Sequence, residues 1–198
     1  KTLPVESQNR LIHRDAQFTT LNEQYATDVY NIITHLKGYF IKLGQLGSLR
    51  RDFLPAAWIH ELSRLQDECP HEDLQTLLPM VERELGVESI SQIFEYIDPV
   101  PLGAASVGQV HRARLLPRQG QTVGDDVVIK IQYPLVEETF RVDIETIYLF
   151  CKLAQPEHLP LLDAVKKAFM SEFDFEREAV NLLLAGDDLK RTPYADSV

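Results

Sequence analysis

Small residues cluster at one place in the sequence, between two stretches that favour β-strands. The cluster reads Gly103-Ala104-Ala105-Ser106-Val107-Gly108-Gln109-Val110. It matches the nucleotide-loop pattern G-x-G-x-x-G-x-V at Gly103, Gly108 and Val110, with Ala105 at the middle glycine. A hairpin without bulky side chains lets backbone N–H groups approach phosphate oxygens. The cluster therefore predicts a phosphate-binding loop, although a small-residue hairpin taken alone is commonly only a tight turn.

A lysine that follows this loop extends the chemical pattern. Lys130 ends the run Val127-Val128-Ile129-Lys130, and a lysine on a strand supplies a point charge for the same phosphate oxygens. Such a lysine needs an anionic partner, and a later stretch offers Glu172, Asp174, Glu176 and Glu178. A strand lysine alone is usually a solvated edge charge. The order of strand, small-residue turn, strand, loop, lysine strand and acidic helix is more specific, and it predicts a kinase-like nucleotide-binding fold.

Three short runs rich in β-branched and aromatic residues are expected to position these candidates. They are residues 93–98, 106–115 and 127–132. The polar, turn-rich segment 117–126 is typical of a loop that joins antiparallel strands. The sequence therefore predicts a small antiparallel sheet with the small-residue loop between its first two strands and the lysine on the third.

Helical periodicity dominates the rest of the chain. Apolar residues recur at helical spacing over residues 31–49, a second helix is expected after Pro55, and a third over about 72–85. Gly86 is expected to end the third helix in a left-handed conformation. Downstream, one helix is expected to begin at Pro134; another, beginning near Pro160, is expected to continue through the acidic stretch.

These elements predict an α+β fold class. The first domain, residues 1–90, is expected to be a wholly helical extension. The second, residues 91–198, is expected to be a kinase-like N-lobe with a small antiparallel sheet and long helices, truncated before the catalytic loop so that the C-lobe is absent.

Composition excludes some classes of partner. The formal net charge of −10 disfavours nucleic acid, since neutralising phosphates requires a basic surface. The two cysteines are far apart, which favours core residues over a disulfide framework. The six histidines show no spacing that would build a zinc site, so we expect no metal-binding residues in this segment.

Three stretches resemble the UbiB-like (aarF-domain) family of atypical kinase-like proteins. Lys42-Leu43-Gly44-Gln45 is similar to that family's KxGQ signature, and Gly103-Ala104-Ala105-Ser106 is similar to its alanine-rich nucleotide loop. Glu172-Phe173-Asp174 is similar to its ExD motif, and Glu178 stands at the acidic helix position beyond it. The match covers roughly residues 38–184, with the motifs in the family's order.

The resemblance implies roles at the nucleotide site. Lys130 would contact nucleotide phosphates, Glu178 would be its partner on a helix, and Ala105 would replace a kinase glycine and alter nucleotide handling. Gly103 departs from the family's loop, where alanine is expected. Val128 stands two residues before the lysine, where kinases usually carry alanine, so its methyl groups could crowd an adenine ring.

The resemblance also implies a latch. Lys42 and Gln45, with Glu172 and Asp174, would hold the helical extension over the site at which protein kinases admit a peptide. From the residues alone, Gly44 and Gly47 each cost about 1 kcal/mol relative to alanine inside a helix, which suggests close packing against another element. A plain helix–helix contact with Lys42 in solvent is the alternative.

The activity that the resemblance implies is that of an ATPase or small-molecule kinase, using ATP with Mg²⁺, in coenzyme Q or other prenyl-lipid metabolism. A prenyl-lipid or quinone intermediate and a membrane surface would be further partners, and the location would be a mitochondrion or plastid. The alternative is a non-catalytic, pseudokinase-like scaffold that binds a protein or membrane partner. Ala105 and the helical extension disfavour an ordinary protein kinase.

The residues of a catalytic centre are missing from the sequence. It contains neither an H-x-D-x-x-x-x-N catalytic loop nor a D-F-G metal motif. Asp174-Phe175-Glu176 is rejected as an equivalent of D-F-G because it precedes any catalytic loop and falls in the middle of a predicted helix. We therefore expect the Mg²⁺ ligands downstream of this segment, and no catalytic residue within it.

Overall fold

The computed structural model describes residues 5–193 of the chain, and side chains from residue 14 onward. It divides into two compact units, Lys1–Val136 and Glu137–Val198. The predicted division, an extension over residues 1–90 and a lobe over residues 91–198, follows motif content rather than compactness and stays a prediction. The outer ends of these two predicted domains, residues 1–4 and 194–198, lie outside the part that the structure describes.

The first unit begins with helices. They are α1 Val5–Leu36, α2 Gly38–Ser48, α3 Ala56–Ser63 and α4 Leu74–Leu85, and a 3-10 turn, Arg64–Gln66, follows α3 directly. The prediction of one helix over residues 31–49 is wrong at Lys37, whose φ of 61° lies outside the helical region. Gly38 follows with a φ of 43°, which glycine adopts without a steric penalty, so α1 and α2 are separate helices.

The next two helices lie close to their predicted places. The helix expected after Pro55 is confirmed, and a 3-10 turn that contains Leu65 follows it directly. Helix α4 begins two residues later than predicted, because the Asp73 carboxylate accepts the N–H of Gln75 at 2.9 Å and caps the helix. Gly86 has a φ of 67° at the end of α4, which confirms the left-handed cap.

A four-stranded antiparallel sheet follows. Its strands are β1 Phe94–Ile97, β2 Gly103–Ala104, β3 Gly108–Leu115 and β4 Asp126–Gln132. Strand β3 is central: β1 and β2 pair with its two halves along one side, and β4 pairs along the other. Between β1 and β2, the N–H groups of Asp98 and Leu102 donate to β3 carbonyl oxygens at 2.8 and 2.7 Å. Strands β1 and β2 are therefore two parts of one interrupted edge strand.

The three predicted strands are all present, with one change of boundary. The strand predicted over residues 106–115 begins at Gly108, because Ser106 and Val107 form the turn of the β2–β3 hairpin. Strand β2 was not predicted, because its two residues are too few to show a periodic pattern. The loop predicted over residues 117–126 joins β3 to β4, and its last residue, Asp126, is the first residue of β4.

The two faces of the sheet have different surroundings. On one face, Ile131 is buried in an apolar cluster with residues of α4, and Ile129 packs against that cluster. The buried members from α4 are Leu74, Leu77 and Val81. Side chains alternate along a strand, so Val128 and Lys130 point to the opposite face. The apolar core of this unit's sheet therefore lies on one face and leaves Val128 and Lys130 on the other.

The second unit is helical. It contains most of α5 Val136–Ala154, then α6 Leu159–Met170 and α7 Phe175–Leu189, with 3-10 turns at Pro156–His158 and Ser171–Phe173. Phe140 makes edge contacts with Phe169 and Phe173, with ring centroids 5.9 and 5.2 Å apart, which gives the unit an aromatic core. Helix α5 begins two residues after the predicted Pro134, because Leu135 has a φ of 58°.

The acidic stretch does not lie within one continuous helix, so that prediction is wrong. Asp174 has φ −86° and ψ 74°, outside the helical region. Its carboxylate accepts the N–H of Arg177 at 2.9 Å and so caps the N-terminus of α7. Asp174-Phe175-Glu176 is therefore a helix start, and its place before any catalytic loop is the remaining reason to reject it as a metal motif.

Seven α-helices and a small antiparallel sheet within the described residues confirm the predicted α+β class, consistent with a kinase-like N-lobe. Among residues 5–193, none of the helices combines the length and the apolar character that crossing a lipid bilayer requires.

Candidate functional site

Three residues singled out from the sequence form a row across the sheet. Gly103 of β2 pairs with Val110 of β3, and Val110 pairs with Lys130 of β4. Directly paired residues of antiparallel strands point their side chains to the same face. Neighbouring strands lie about 4.8 Å apart, so the loop glycine, the valine and the lysine stand within roughly 10 Å of one another.

The row lies on the face of the sheet that points away from the α4 cluster. Val128 precedes Lys130 by two residues and shares its face, and 65% of Val128 is exposed. Lys130 is also exposed, so its ammonium group carries no full cost of burying a charge. The structure thus brings Gly103, Val110, Val128 and Lys130 together, while their roles toward a nucleotide stay predictions.

The tip of the β2–β3 hairpin is buried. The N–H of Ala105 donates to the carbonyl oxygen of Gly108 at 2.8 Å and closes a turn made by Ser106 and Val107. Only 2% of Ser106 and 5% of Val107 are exposed. The carbonyl oxygen of Val107 accepts the N–H of Tyr133, which follows β4, at 3.0 Å. The accessible part of the predicted phosphate loop is therefore its first limb, residues 103–105, in which Ala104 is half-buried.

The two glycines of the loop differ in what surrounds them. A Cβ atom at Gly108 would overlap the carbonyl oxygen of Ile131 and lie 3.2 Å from the Cα of Gln132, so no side chain fits between β3 and β4 there. A Cβ atom at Gly103 would meet nothing within 4 Å. The departure from alanine at Gly103 therefore has no steric reason, whereas Gly108 is required by the approach of two strands.

A buried polar network lies on the face of the sheet that carries the core. Gln109 is 1% exposed and His111 0%. The side-chain oxygen of Gln109 accepts the N–H of Glu72 at 2.8 Å, and its nitrogen donates to the carbonyl oxygen of Glu72 at 3.0 Å. The same nitrogen lies 2.8 Å from Nε2 of His111, whose Nδ1 lies 2.7 Å from the carbonyl oxygen of Asp98. This network ties the segment before α4 to the strand that carries Gly108 and Val110.

The KxGQ stretch packs within the helical part of the first unit. A Cβ atom at Gly44 would overlap Cδ1 of Leu65, and one at Gly47 would lie 3.2 Å from Cδ1 of Leu54. The close packing predicted from these glycines is therefore confirmed. The side chain of Gln45 donates to the carbonyl oxygen of Leu65 at 2.8 Å, so this glutamine helps to hold α2 against the turn after α3.

Lys42, which with Gln45 is one of the two latch candidates in this stretch, is half-buried rather than fully in solvent. Burial raises the pKa of the Cys69 thiol, and the charge of Lys42 and a hydrogen bond from Gln45 oppose that rise. The positive charge of Lys42 therefore acts on the pKa of a buried thiol of the helical extension and favours its ionised form.

The acidic candidates lie in the second unit. Glu172 is half-buried in the 3-10 turn before α7, Asp174 caps α7, and Glu178 is exposed in its first turn. The predicted pairing of Lys130 with Glu178, and the latch predicted for Glu172 and Asp174, join residues of different units and stay predictions. Within the described residues there is no group of three or more His, Cys, Asp or Glu side chains that could hold a metal ion.

Comparison with known proteins shows the family to which the chain belongs. Residues 64–196 match the ABC1 atypical kinase-like domain, and this match covers most of the chain. The chain belongs to the ABC1 atypical kinase-like family. The resemblance to UbiB-like atypical kinases inferred from the sequence is confirmed by this match and by the relatives.

Two relatives carry kinase names. The chain is 34% identical over 172 residues to Protein ACTIVITY OF BC1 COMPLEX KINASE 8, chloroplastic, of Arabidopsis thaliana. This alignment covers 82% of the chain and 22% of that relative. The chain is also 37% identical over 150 residues to Probable protein kinase UbiB of Azotobacter vinelandii. That alignment covers 72% of the chain and 27% of that relative. The chain thus spans about a quarter of the length of these curated relatives.

Sequence reasoning missed the roles of Gln109 and His111 in this ABC1 chain. A polar residue at alternate positions of a strand normally indicates the solvent face. Here the polar side chains are on the core face, because their partner is the backbone of Glu72, 37 residues away from Gln109. The local signal was that two hydrogen-bonding side chains, Gln109 and His111, flank Val110 in the strand that follows the small-residue loop.

Proposed function

We propose that this ABC1 segment supplies the phosphate-binding strands of an ATP-dependent atypical kinase or ATPase. The observation that carries the proposal is the row formed by Gly103, Val110 and Lys130 on the face of the sheet away from the α4 cluster. A lysine beside a small-residue hairpin is the arrangement with which kinase-like folds hold nucleotide phosphates.

Each part of the row has a chemical task in this proposal. The backbone of Gly103, Ala104 and Ala105 contacts phosphate oxygens, because this limb of the hairpin is more accessible than the buried tip at Ser106. Lys130 supplies the positive charge. The side chain of Val110 gives an apolar surface for the adenine ring, the two methyl groups of Val128 crowd that ring, and Gly108 allows β3 to approach β4 closely enough to form the surface.

Mg²⁺, when bound with ATP, would neutralise charge on the phosphates. The described residues contain no acidic cluster suited to hold it, so we expect its ligands in a part of the protein beyond this segment. The helical extension and the latch predicted for Lys42, Gln45, Glu172 and Asp174 complete the proposal as the cover of the site.

The names of the relatives support the proposed reaction and its location. Because relatives are named as kinases, one of them chloroplastic, we propose phosphoryl transfer or ATP hydrolysis in an organelle, mitochondrion or plastid. The UbiB resemblance favours coenzyme Q or another prenyl lipid as the metabolism served, with a prenyl-lipid or quinone intermediate at a membrane surface.

A non-catalytic scaffold is the second candidate. Helix α7 leaves Val180, Leu182, Leu183 and Leu184 between 54% and 72% exposed, which favours contact with a further protein surface. On this alternative the fold is retained for binding a protein or membrane partner rather than for handling nucleotide.

The deciding experiment compares Lys130→Ala with Lys167→Ala in the full-length protein. Lys167 is an exposed lysine of α6 with no proposed role. ATP binding is measured by titration calorimetry, and thermal unfolding confirms that each variant is folded. We expect Lys130→Ala to abolish detectable binding and Lys167→Ala to bind as the wild-type protein does. Unchanged binding by a folded Lys130→Ala variant would support the scaffold instead.

The purified segment, residues 1–198, gives a second test. It lacks a catalytic-loop base and a metal motif, so we expect no Mg-ATP hydrolysis by the segment alone. Hydrolysis above the buffer rate by the purified segment would contradict this expectation.

A further inference from the structure

A short connector links helices α1, α2 and α3, which we call the KxGQ helices, to the sheet. We define the connector as residues 69–73, between the 3-10 turn after α3 and the start of α4. Its main chain is held by side chains of the sheet region: Tyr133 donates its hydroxyl to the carbonyl oxygen of Pro70 at 3.3 Å, and Gln109 bonds both the N–H and the carbonyl oxygen of Glu72. Burial raises the pKa of Tyr133, so the phenol keeps the proton that it donates.

The carboxamide of Gln109 acts as a peptide group from a neighbouring strand would. Its oxygen accepts from Glu72, and its two N–H bonds serve the carbonyl oxygen of Glu72 and Nε2 of His111. His111 then carries its proton on Nδ1 and donates it to the carbonyl oxygen of Asp98. Every polar atom named here is used, so the connector cannot shift without leaving a buried group unpaired.

The other side of the connector contacts the KxGQ helices. The carboxylate of Glu72 forms an ion pair with Lys37, the residue of positive φ at which α1 ends and α2 begins. The side chain of Gln45 lies 3.7 Å from Sγ of Cys69, and that thiol bonds the carbonyl oxygen of Leu65 at 3.1 Å. One five-residue segment is thus in contact with the KxGQ stretch at its first residue and with strand β3 at its fourth.

Gln109 lies between the two residues of β3 that matter most for the nucleotide row. Gly108 precedes it and Val110 follows it, and Gln109 itself pairs with Ala104 of the hairpin limb. A displacement of the connector would pull on Gln109 and so move the hairpin limb and the row together.

We infer that Gln109 is a positioning residue that couples the KxGQ helices to the phosphate-binding hairpin through the backbone of Glu72. The inference rests on the proposed function, since the coupling is read through nucleotide binding. Coupling free energy is reciprocal, so nucleotide bound at the hairpin stabilises the connector to the same extent that an ordered connector strengthens nucleotide binding.

The first measurement uses the wild-type full-length protein and needs no variant. Amide hydrogen exchange of residues 69–73 is followed with and without saturating ATP. The N–H of Glu72 donates to the side-chain oxygen of Gln109. We expect ATP to slow hydrogen exchange of this amide by at least about fivefold. If ATP binds but the connector exchanges at the same rate, the inference is overturned and the proposed function stands.

The second measurement compares Gln109→Leu, which is close in shape but cannot bond Glu72, with Gln121→Leu in the exposed β3–β4 loop. We expect Gln109→Leu to weaken ATP affinity about tenfold and to abolish the effect of ATP on connector exchange, with Gln121→Leu within twofold of wild type. A folded Gln109→Leu protein with wild-type affinity would overturn the inference. Absence of ATP binding by the wild-type protein would overturn the proposed function and this inference with it.

Discussion

The candidate residues fall into two groups, a strand half on β2, β3 and β4 of the first unit and a helix half at the start of α7 in the second unit, and the two groups are anchored in different ways. The strand half is fixed by ladder pairs, by a buried hairpin tip and by the bonds of Gln109 to Glu72. Helix α7 has no buried residue among the fifteen that form it, and one carboxylate, that of Asp174, fixes where it begins. Steric fit therefore determines the geometry of the strands, and a local cap determines that of the helix.

The largest expected effect tests the steric fit of the strand half. Gly108→Ala places a Cβ atom against backbone atoms of Ile131 and Gln132, so we expect a loss of about 3 kcal/mol in the free energy of unfolding, the upper end for overpacking. Gly103→Ala, where the space is open, is the control, and we expect a change within about 0.5 kcal/mol. Urea unfolding of both variants measures the difference, and equal stabilities would mean that β3 and β4 are not packed as described.

A second pair of glycines compares a packed helix with α7. Gly44→Ala drives a methyl group into Leu65, which is 0% exposed, and we expect a loss of about 2 kcal/mol in unfolding free energy. Gly186→Ala in α7 meets nothing within 4 Å, and alanine's better helix propensity should stabilise by about 0.5–1 kcal/mol. Opposite signs in thermal unfolding are the expected result. Destabilisation by Gly186→Ala would indicate that α7 is closely packed there.

The cap of α7 gives the third prediction. Asp174→Ala removes the acceptor for the N–H of Arg177, and we expect a loss of about 1 kcal/mol in unfolding free energy. Asp174→Asn keeps an acceptor at that place and should stay within a few tenths of a kcal/mol of wild type. Circular dichroism during thermal unfolding distinguishes the two. If both variants lose the same stability, the negative charge of Asp174 rather than its cap is what matters.

The smallest effect is expected at the exposed end of the row. Val128 is 65% exposed, so Val128→Ala should change the unfolding free energy by less than about 0.5 kcal/mol. Removing two methyl groups from the proposed adenine surface should strengthen ATP binding a few-fold, about 0.5–1 kcal/mol, if they crowd the ring. Fluorescence titration with a labelled ATP analogue measures this, and weaker binding would show that Val128 provides contact rather than crowding.

Local signals in the sequence predicted the strand half well. Small residues, alternation and a lysine after Val128 are patterns within a few residues, and the ladder preserved them as the row of Gly103, Val110 and Lys130. The hairpin's second strand begins two residues later than predicted because the turn consumed Ser106 and Val107. A compositional pattern cannot say which of several small residues turn and which pair.

The breaks at Lys37 and Asp174 could not be found from apolar periodicity, since the apolar spacing continues on both sides of each break. Lys37 carries an unfavourable φ and forms an ion pair with Glu72, a partner 35 residues away. Asp174 did carry a local signal, an Asp followed by Glu176 and Glu178 in a first turn, which is typical of a helix start. Similarity to the ExD motif concerns the chemistry of Asp174 and does not predict its backbone conformation.

The interruption between β1 and β2 bears on how this protein behaves at high concentration. An unpaired edge strand offers a row of hydrogen-bonding groups to which the strand of another molecule can add. Here the edge is broken by Pro99 and Pro101, which have no N–H to donate, and Val100 between them is 69% exposed. Such an edge cannot be extended by a continuous strand, so this side of the sheet is protected against edge-to-edge aggregation despite its exposed apolar residue.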